Sequence, residues 1–212
     1  MARQIPRIYV LGGTNGAGKS SIVGAMLLEL GVQYFNPDEA AALIAAANPG
    51  LTIEQAQSAA WHEGTRLLER AIAERLDFIF ETTLGGTTIS TLLEKAIASG
   101  FEVRIWYVGL DTVERHIERV RARVKKGGHD IPEQRIRQRY THSLLNLIRL
   151  MPTLTELRVY DNSVEADPIK GAAPKPKLIV HLNRGKVVAM CKPSATPGWA
   201  KPVVLTALKI DR

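Results

Sequence analysis

Residues 11–21, LGGTNGAGKSS, follow the apolar run Ile8–Leu11 and set Gly13, Gly18, Lys19 and Ser20 at the spacing G-x-x-x-x-G-K-S. Glycines without a Cβ let successive backbone N–H groups turn toward one point, and a helix opening at Lys19 aims its positive end at the same place. A polyphosphate fits such a cradle. The stretch Gly13, Thr14, Asn15, Gly16, Ala17, Gly18 would wrap it, with Ser21 beside it. Lys19 would bridge its outer phosphates and the Ser20 hydroxyl would ligate Mg²⁺.

A phosphate loop leaves open what attacks the phosphate. The sequence has no NKxD motif for reading guanine and no apolar strand ending in paired Asp-Glu; DFIFE supplies Glu81 alone. Attack by a substrate hydroxyl instead needs a carboxylate to take its proton and cations to hold the moving charge. Asp38, 19 residues after Lys19 in NPDEA, suits either that base or a carboxylate at a helix N-terminus. Glu81 closes an apolar strand in FETT, where a charge needs a partner or a ligand. It reads as the contact for a substrate hydroxyl or as an outer residue of a metal site, with Thr82 next to it.

The cations lie in one segment. Between Arg115 and Arg139 stand seven arginines and two lysines against three acids, nearly the whole of the formal +7. A local anion site explains that better than a diffuse nucleic-acid surface. Arg115, Arg119 and Arg123 share one helix face, as do Arg135 and Arg139 on the next helix, with GGHDIP between them as a hinge. Such an arrangement suits a lid over roughly residues 115–139 that closes on ATP. Arg123 and Arg139 flank the hinge and are assigned to the phosphates. Arg121 and Arg137 read as solvated charge, His129 as a residue fixing the loop.

Other residues have plainer readings. Asp111 reads as a helix cap. Trp61, Trp106 and Trp199 read as packing, and His116 and His142 lack metal-ligand spacing. Cys191, the single cysteine, agrees with a reducing compartment. No apolar run reaches the roughly 18 residues of a membrane span, and the N-terminus lacks a signal-peptide pattern; a cytoplasmic location is expected.

The elements that position these groups alternate. Strands are expected at 7–11, 32–35, 77–81, 101–110 and 157–163. Helices are expected at 19–30, from 37 to about 47, at 52–75, 87–100, from 111 to about 124, and from 132 to about 150. A proline- and lysine-rich stretch, 166–177, reads as a linker before a hairpin turning at Asn183-Arg184-Gly185. This pattern predicts one α/β domain over 1–212, a mostly parallel sheet with helices on both faces, and an appendage over about 164–212. The appendage either covers a sheet edge or, with Asp161–Ser163, borders the adenine. The phosphate loop, Asp38 and Glu81 all fall at the carboxyl ends of the strands, where such sheets bind ligands.

In order, GGTNGAGKSS, NPDEA, FIFETTLGG, RVRARVKKGGHDIPEQRIRQRYTHSLLNL and VYDNS make the chain resemble the zeta toxin-like P-loop kinases over most of residues 7–163. GGHDIP to SLLNL is the most specific part. The resemblance implies a core like that of nucleotide and shikimate kinases, using ATP and Mg²⁺. It matches Asp38 to the family's catalytic base, Glu81 to its substrate-contacting acid, Lys19 to the loop lysine, and Arg123 and Arg139 to lid arginines. Gln138 stands where a second consecutive arginine is expected. The best-known relatives phosphorylate UDP-N-acetylglucosamine and are restrained by an antitoxin, so a small hydroxyl-bearing substrate and an antitoxin partner are expected, with neither membrane nor nucleic acid. The rival is an ATP-gated protein that holds RNA, or a kinase acting on nucleosides or nucleic-acid ends.

Overall fold

The computed structural model describes residues 5–19, 34–164 and 175–211. Its strands are β1 (Arg7–Gly12), β2 (Tyr34–Phe35), β3 (Phe78–Thr82), β4 (Glu102–Gly109), β5 (Glu156–Asp161), β6 (Lys177–Asn183) and β7 (Lys186–Met190). Its α-helices are α1 (Pro37–Ala47), α2 (Ile53–Glu74), α3 (Thr87–Ala98), α4 (Val113–Val124), α5 (Glu133–Leu150) and α6 (Lys201–Ile210). Apart from Lys19, the expected helix at 19–30 lies outside the described residues, as does most of the expected linker.

The strands form one sheet in the order β2-β3-β1-β4-β5-β6-β7. The first five are parallel; β6 and β7 add antiparallel at one end. The α/β fold expected from the alternating pattern is present. Register sorts the side chains by face. Ile8 and Val10 of β1 align with Phe80, Val103, Ile105, Leu157 and Val159 in one large core. Tyr9, Leu11, Ile79, Trp106 and Val108 share the opposite face. The strands at the centre are thus apolar on both sides, as parallel strands sandwiched between layers must be.

The helix starts follow from side-chain chemistry. Thr52 and Gln55 form a reciprocal capping box on α2, which satisfies two N–H groups that the helix leaves bare. Asn36 caps α1 by accepting from the Asp38 N–H at 2.9 Å. At α4 the cap is Thr112, accepting from the Arg115 N–H, and not Asp111 as expected. Asp111 instead pairs with Arg115 at 2.8 Å.

The hairpin turns through Arg184 and Gly185, with φ of 48° and 76°, the left-handed pair that matches strand twist. The tail also holds α6, which the sequence reading did not include. Ile179, Val180, Trp199, Val203 and Ala207 join the large core. Trp199 lies flat over Gly109, where any Cβ would run into the indole, and its Nε1–H donates to Asp161. No helix among the described residues is long and apolar enough to cross a membrane.

Candidate active site

The loop from Gly13 to Lys19 leaves β1 with Gly13, Gly16 and Gly18 at φ of 140°, 80° and 80°. Only glycine adopts these cheaply. The space is closed as well: a Cβ would meet the Val108 carbonyl at Gly13, the His116 carbonyl at Gly16 and the Asn162 amide at Gly18. Lys19 is buried. Its Nζ donates to the Gly13 carbonyl at 2.7 Å and sits 3.3 Å from Glu81 Oε1. Ser20 and Ser21 lie outside the described residues.

Glu81 comes from the end of β3. The β2–β3 register brings Tyr34 beside it on the same face, and the Tyr34 hydroxyl donates to Glu81 Oε2 at 2.5 Å. Burial and the Glu81 carboxylate push the Tyr34 phenol well above its usual range, so it stays a donor. Asp38, in the first turn of α1, faces Arg123 Nη1 at 3.2 Å and His129 Nε2 at 3.4 Å.

Two cavities meet at these carboxylates. One of about 380 Å³ is lined by Asn15, Gly16, Gly18, Lys19, Asn36, Arg119 and Arg123. The other, about 400 Å³, is lined by Phe35, Trp61, Thr82, Ile89, Arg135 and Arg139 among others. Asp38 and Glu81 line both.

Arg139 belongs to the second cavity and reaches back to the loop, donating to Asn15 Oδ1 at 2.7 Å. Burial, with Arg135 close by, lowers its guanidinium from the ordinary range. Gly85 allows this path, since a Cβ there would press into the Arg139 stem. Thr82 lines the same cavity, and its Oγ1 accepts from the Leu84 N–H. Arg121 and Arg137 pair with Glu133 and Glu114 on the exposed surface. The GGHDIP stretch is less free than a bare hinge: Gly128 N–H donates to the Arg123 carbonyl, His129 contacts Arg123 and Asp38, and Ile131 is buried.

A triphosphate fits the first cavity on the structure's own terms. The loop glycines hold a backbone that other residues would follow only under strain. Arg123 Nε is buried with no hydrogen-bond partner among the described residues, and such a donor costs free energy until an acceptor reaches it. Among the described residues no cluster of His, Cys, Asp and Glu could hold a metal by itself.

Several residues stand otherwise than the sequence placed them. Arg119, expected on the lid's helix face with Arg115 and Arg123, lines the first cavity and donates to the Asn162 carbonyl. Asn162, in the Asp161–Ser163 stretch that one of two readings set beside the adenine, donates to the Ala17 carbonyl at 2.9 Å. Trp61, expected to pack, is 45% exposed and lines the second cavity. His116 is buried against the loop.

An uncharacterized protein of Haemophilus influenzae is 36% identical over 129 residues, 60% of this chain and 88% of that protein. A chain of the AvrRxo1-ORF1:AvrRxo1-ORF2 complex shares the fold. Solved with sulphate ions it gives a TM-score of 0.67 at 14% identity, over 92% of this chain and 65% of that one. Solved with ATP it gives 0.66 at 16% identity, over 98% and 64%. The chain therefore spans slightly less than two thirds of that protein's length. The PezAT toxin-antitoxin system of Streptococcus pneumoniae gives 0.56 at 16% identity, over 82% of this chain and 76% of that one. The zeta toxin family description matches residues 1–168; this chain is a member of the zeta toxin family.

Proposed function

We propose that the chain transfers the terminal phosphoryl group of ATP to a hydroxyl of a small molecule. The observation that carries this is the placement of Asp38 and Glu81 on the shared wall of two cavities. ATP would lie along the first, its phosphates against the loop N–H groups, Lys19, Arg119 and Arg123. The acceptor would fill the second.

Asp38 takes the hydroxyl proton as the acceptor oxygen bonds to the γ-phosphorus. The bond from that phosphorus to the β–γ bridging oxygen breaks, and ADP leaves with the electron pair. Glu81 orients the acceptor, while Lys19, Arg123 and Arg139 offset the charge spread over the moving group. Mg²⁺, with Ser20 as the expected ligand, would draw charge from the triphosphate. Lys19 must release Glu81 to reach the phosphates, which frees one carboxylate oxygen for the acceptor.

The acceptor cavity combines the Trp61 ring, Thr82 and the Arg135 guanidinium, groups that suit an anionic, hydroxyl-rich compound such as a UDP-N-acetyl sugar. An antitoxin partner is proposed by analogy with PezAT. The RNA-holding alternative gains little support, because Arg115, Arg121 and Arg137 are engaged by the chain's own acids. Incubation with γ-labelled ATP, Mg²⁺ and a bacterial metabolite extract should label one small compound, identified by mass spectrometry. A protein that binds ATP and labels none overturns the proposal.

A further inference from the structure

We propose that His116 is a positioning residue for the nucleotide: from α4 it fixes the Asn15–Gly16 peptide so that the Gly16 N–H is turned into the phosphate cradle. The proposal rests on the reading of the first cavity as the ATP site, and not on the identity of the acceptor.

His116 is 1% exposed, and its Nδ1 lies 2.8 Å from the Asn15 carbonyl oxygen. A carbonyl can only accept, so Nδ1 carries the proton. In a planar trans peptide the C=O and the following N–H point to opposite sides. Anchoring the Asn15 carbonyl on the imidazole therefore turns the Gly16 N–H away from that ring, and Gly16 is among the residues that line the first cavity.

The helix backbone reinforces the arrangement. The His116 carbonyl occupies the place a Cβ on Gly16 would take, so loop and helix are in direct contact. Tyr140 of α5 packs edge-on against the imidazole, centroids 5.4 Å apart. Arg139, one residue earlier on α5, holds the Asn15 side chain at 2.7 Å. Asn15 is thus gripped twice, once by each arginine-bearing helix. Burial lowers His116 to about 4, which keeps the ring neutral and its single N–H committed to Asn15.

Two variants separate this role from packing. H116N places an amide N–H near the position of Nδ1; H116L fills similar space without a donor. Calorimetric titration with Mg·ATP should show H116L weaker than wild type by roughly 10-fold and H116N within about 3-fold. Nitrogen-15 NMR of the wild-type chain should show His116 as the neutral Nδ1–H tautomer. An Nε2–H tautomer, or H116L binding Mg·ATP like wild type, overturns the proposal. If H116L does not fold, the tautomer and H116N decide. Wild type that binds Mg·ATP but transfers nothing would sink the kinase reading and leave this one standing, whereas no binding by wild type sinks both.

Discussion

Arg123 of α4 donates to Asp38 of α1 at 3.2 Å, so a cation expected to serve the donor phosphate is held by the carboxylate expected to serve the acceptor. The pair joins the two cavities at the point where transfer would occur. Asp38→Asn keeps the shape and removes the proton acceptor. Phosphoryl transfer to the labelled compound should fall by about 100-fold or more, while Mg·ATP affinity stays within roughly 3-fold, because in the proposed arrangement Asp38 would meet the nucleotide only at its reacting end. Full transfer by this variant would remove Asp38 from the base role.

Lys19 is buried and shares its ammonium between the Gly13 carbonyl and Glu81. Lys19→Met should weaken Mg·ATP binding by at least ~10-fold and leave Glu81 without its cation. Removing one partner of a largely buried pair costs stability, so the urea midpoint should fall too, as equilibrium unfolding would read.

Gly13 leaves no room for a side chain, because its φ of 140° is joined by a clash with the Val108 carbonyl of β4. A backbone carbonyl inside a sheet cannot swing aside. Gly13→Ala should cost roughly 2 kcal/mol or more, whereas an alanine at Gly86, which has open space around it, should cost far less. Denaturant melts of the two variants make the comparison.

Trp61 offers the second cavity, proposed to hold the acceptor, a large ring that the core does not need, being 45% exposed. Trp61→Ala should raise the acceptor KM by roughly 10-fold with little change in kcat or Tm, the mark of lost binding common to ground and transition states. A fall in Tm with KM unchanged would return Trp61 to the packing role.

His116 also predicts an acid sensitivity. Burial is the main cause of its descent from 6.5 to about 4; Lys19 and Arg119 add to it, while the bond to Asn15 and the charge of Asp111 oppose it. The unfolded chain binds the proton more readily, so this contribution is complete above pH 6.5 and is lost as pH falls toward 4. Between about pH 7.5 and about pH 5 the loss is on the order of 2 kcal/mol. Urea melts at both pH values should show it in wild type and much less of it in His116→Asn.

How far the sequence revealed this arrangement depended on whether a signal was local. The phosphate loop and the capping box of α2 were legible because glycine spacing and Thr-x-x-Gln act within a few residues. Alternation of strands and helices predicted the parallel sheet. The cap of α4 was misplaced by one position, since Asp111 and Thr112 are both good caps and the contact that holds Asp111 outside the helix comes from Ser163, 52 residues away. Helix α6 was missed because PVVLTAL is rich in β-branched residues and too short for periodicity to tell helix from strand. Trp61 misled for another reason. Its exposure depends on a cavity walled by residues from distant parts of the chain, and no local pattern encodes that. The same holds for His116, whose partner lies 101 residues away.

The antiparallel pair β6–β7 lies beyond residue 168, where the family match stops. β6 hydrogen-bonds along β5 from Glu156 to Asp161. Ending the chain at the family boundary would therefore bare a row of unpaired N–H and C=O groups on β5, together with the apolar face now under α6. An open strand of that kind recruits strands from neighbouring molecules. The shortened protein is expected to self-associate in size-exclusion chromatography, with its glycine loop on a sheet that has begun to pair with copies of itself.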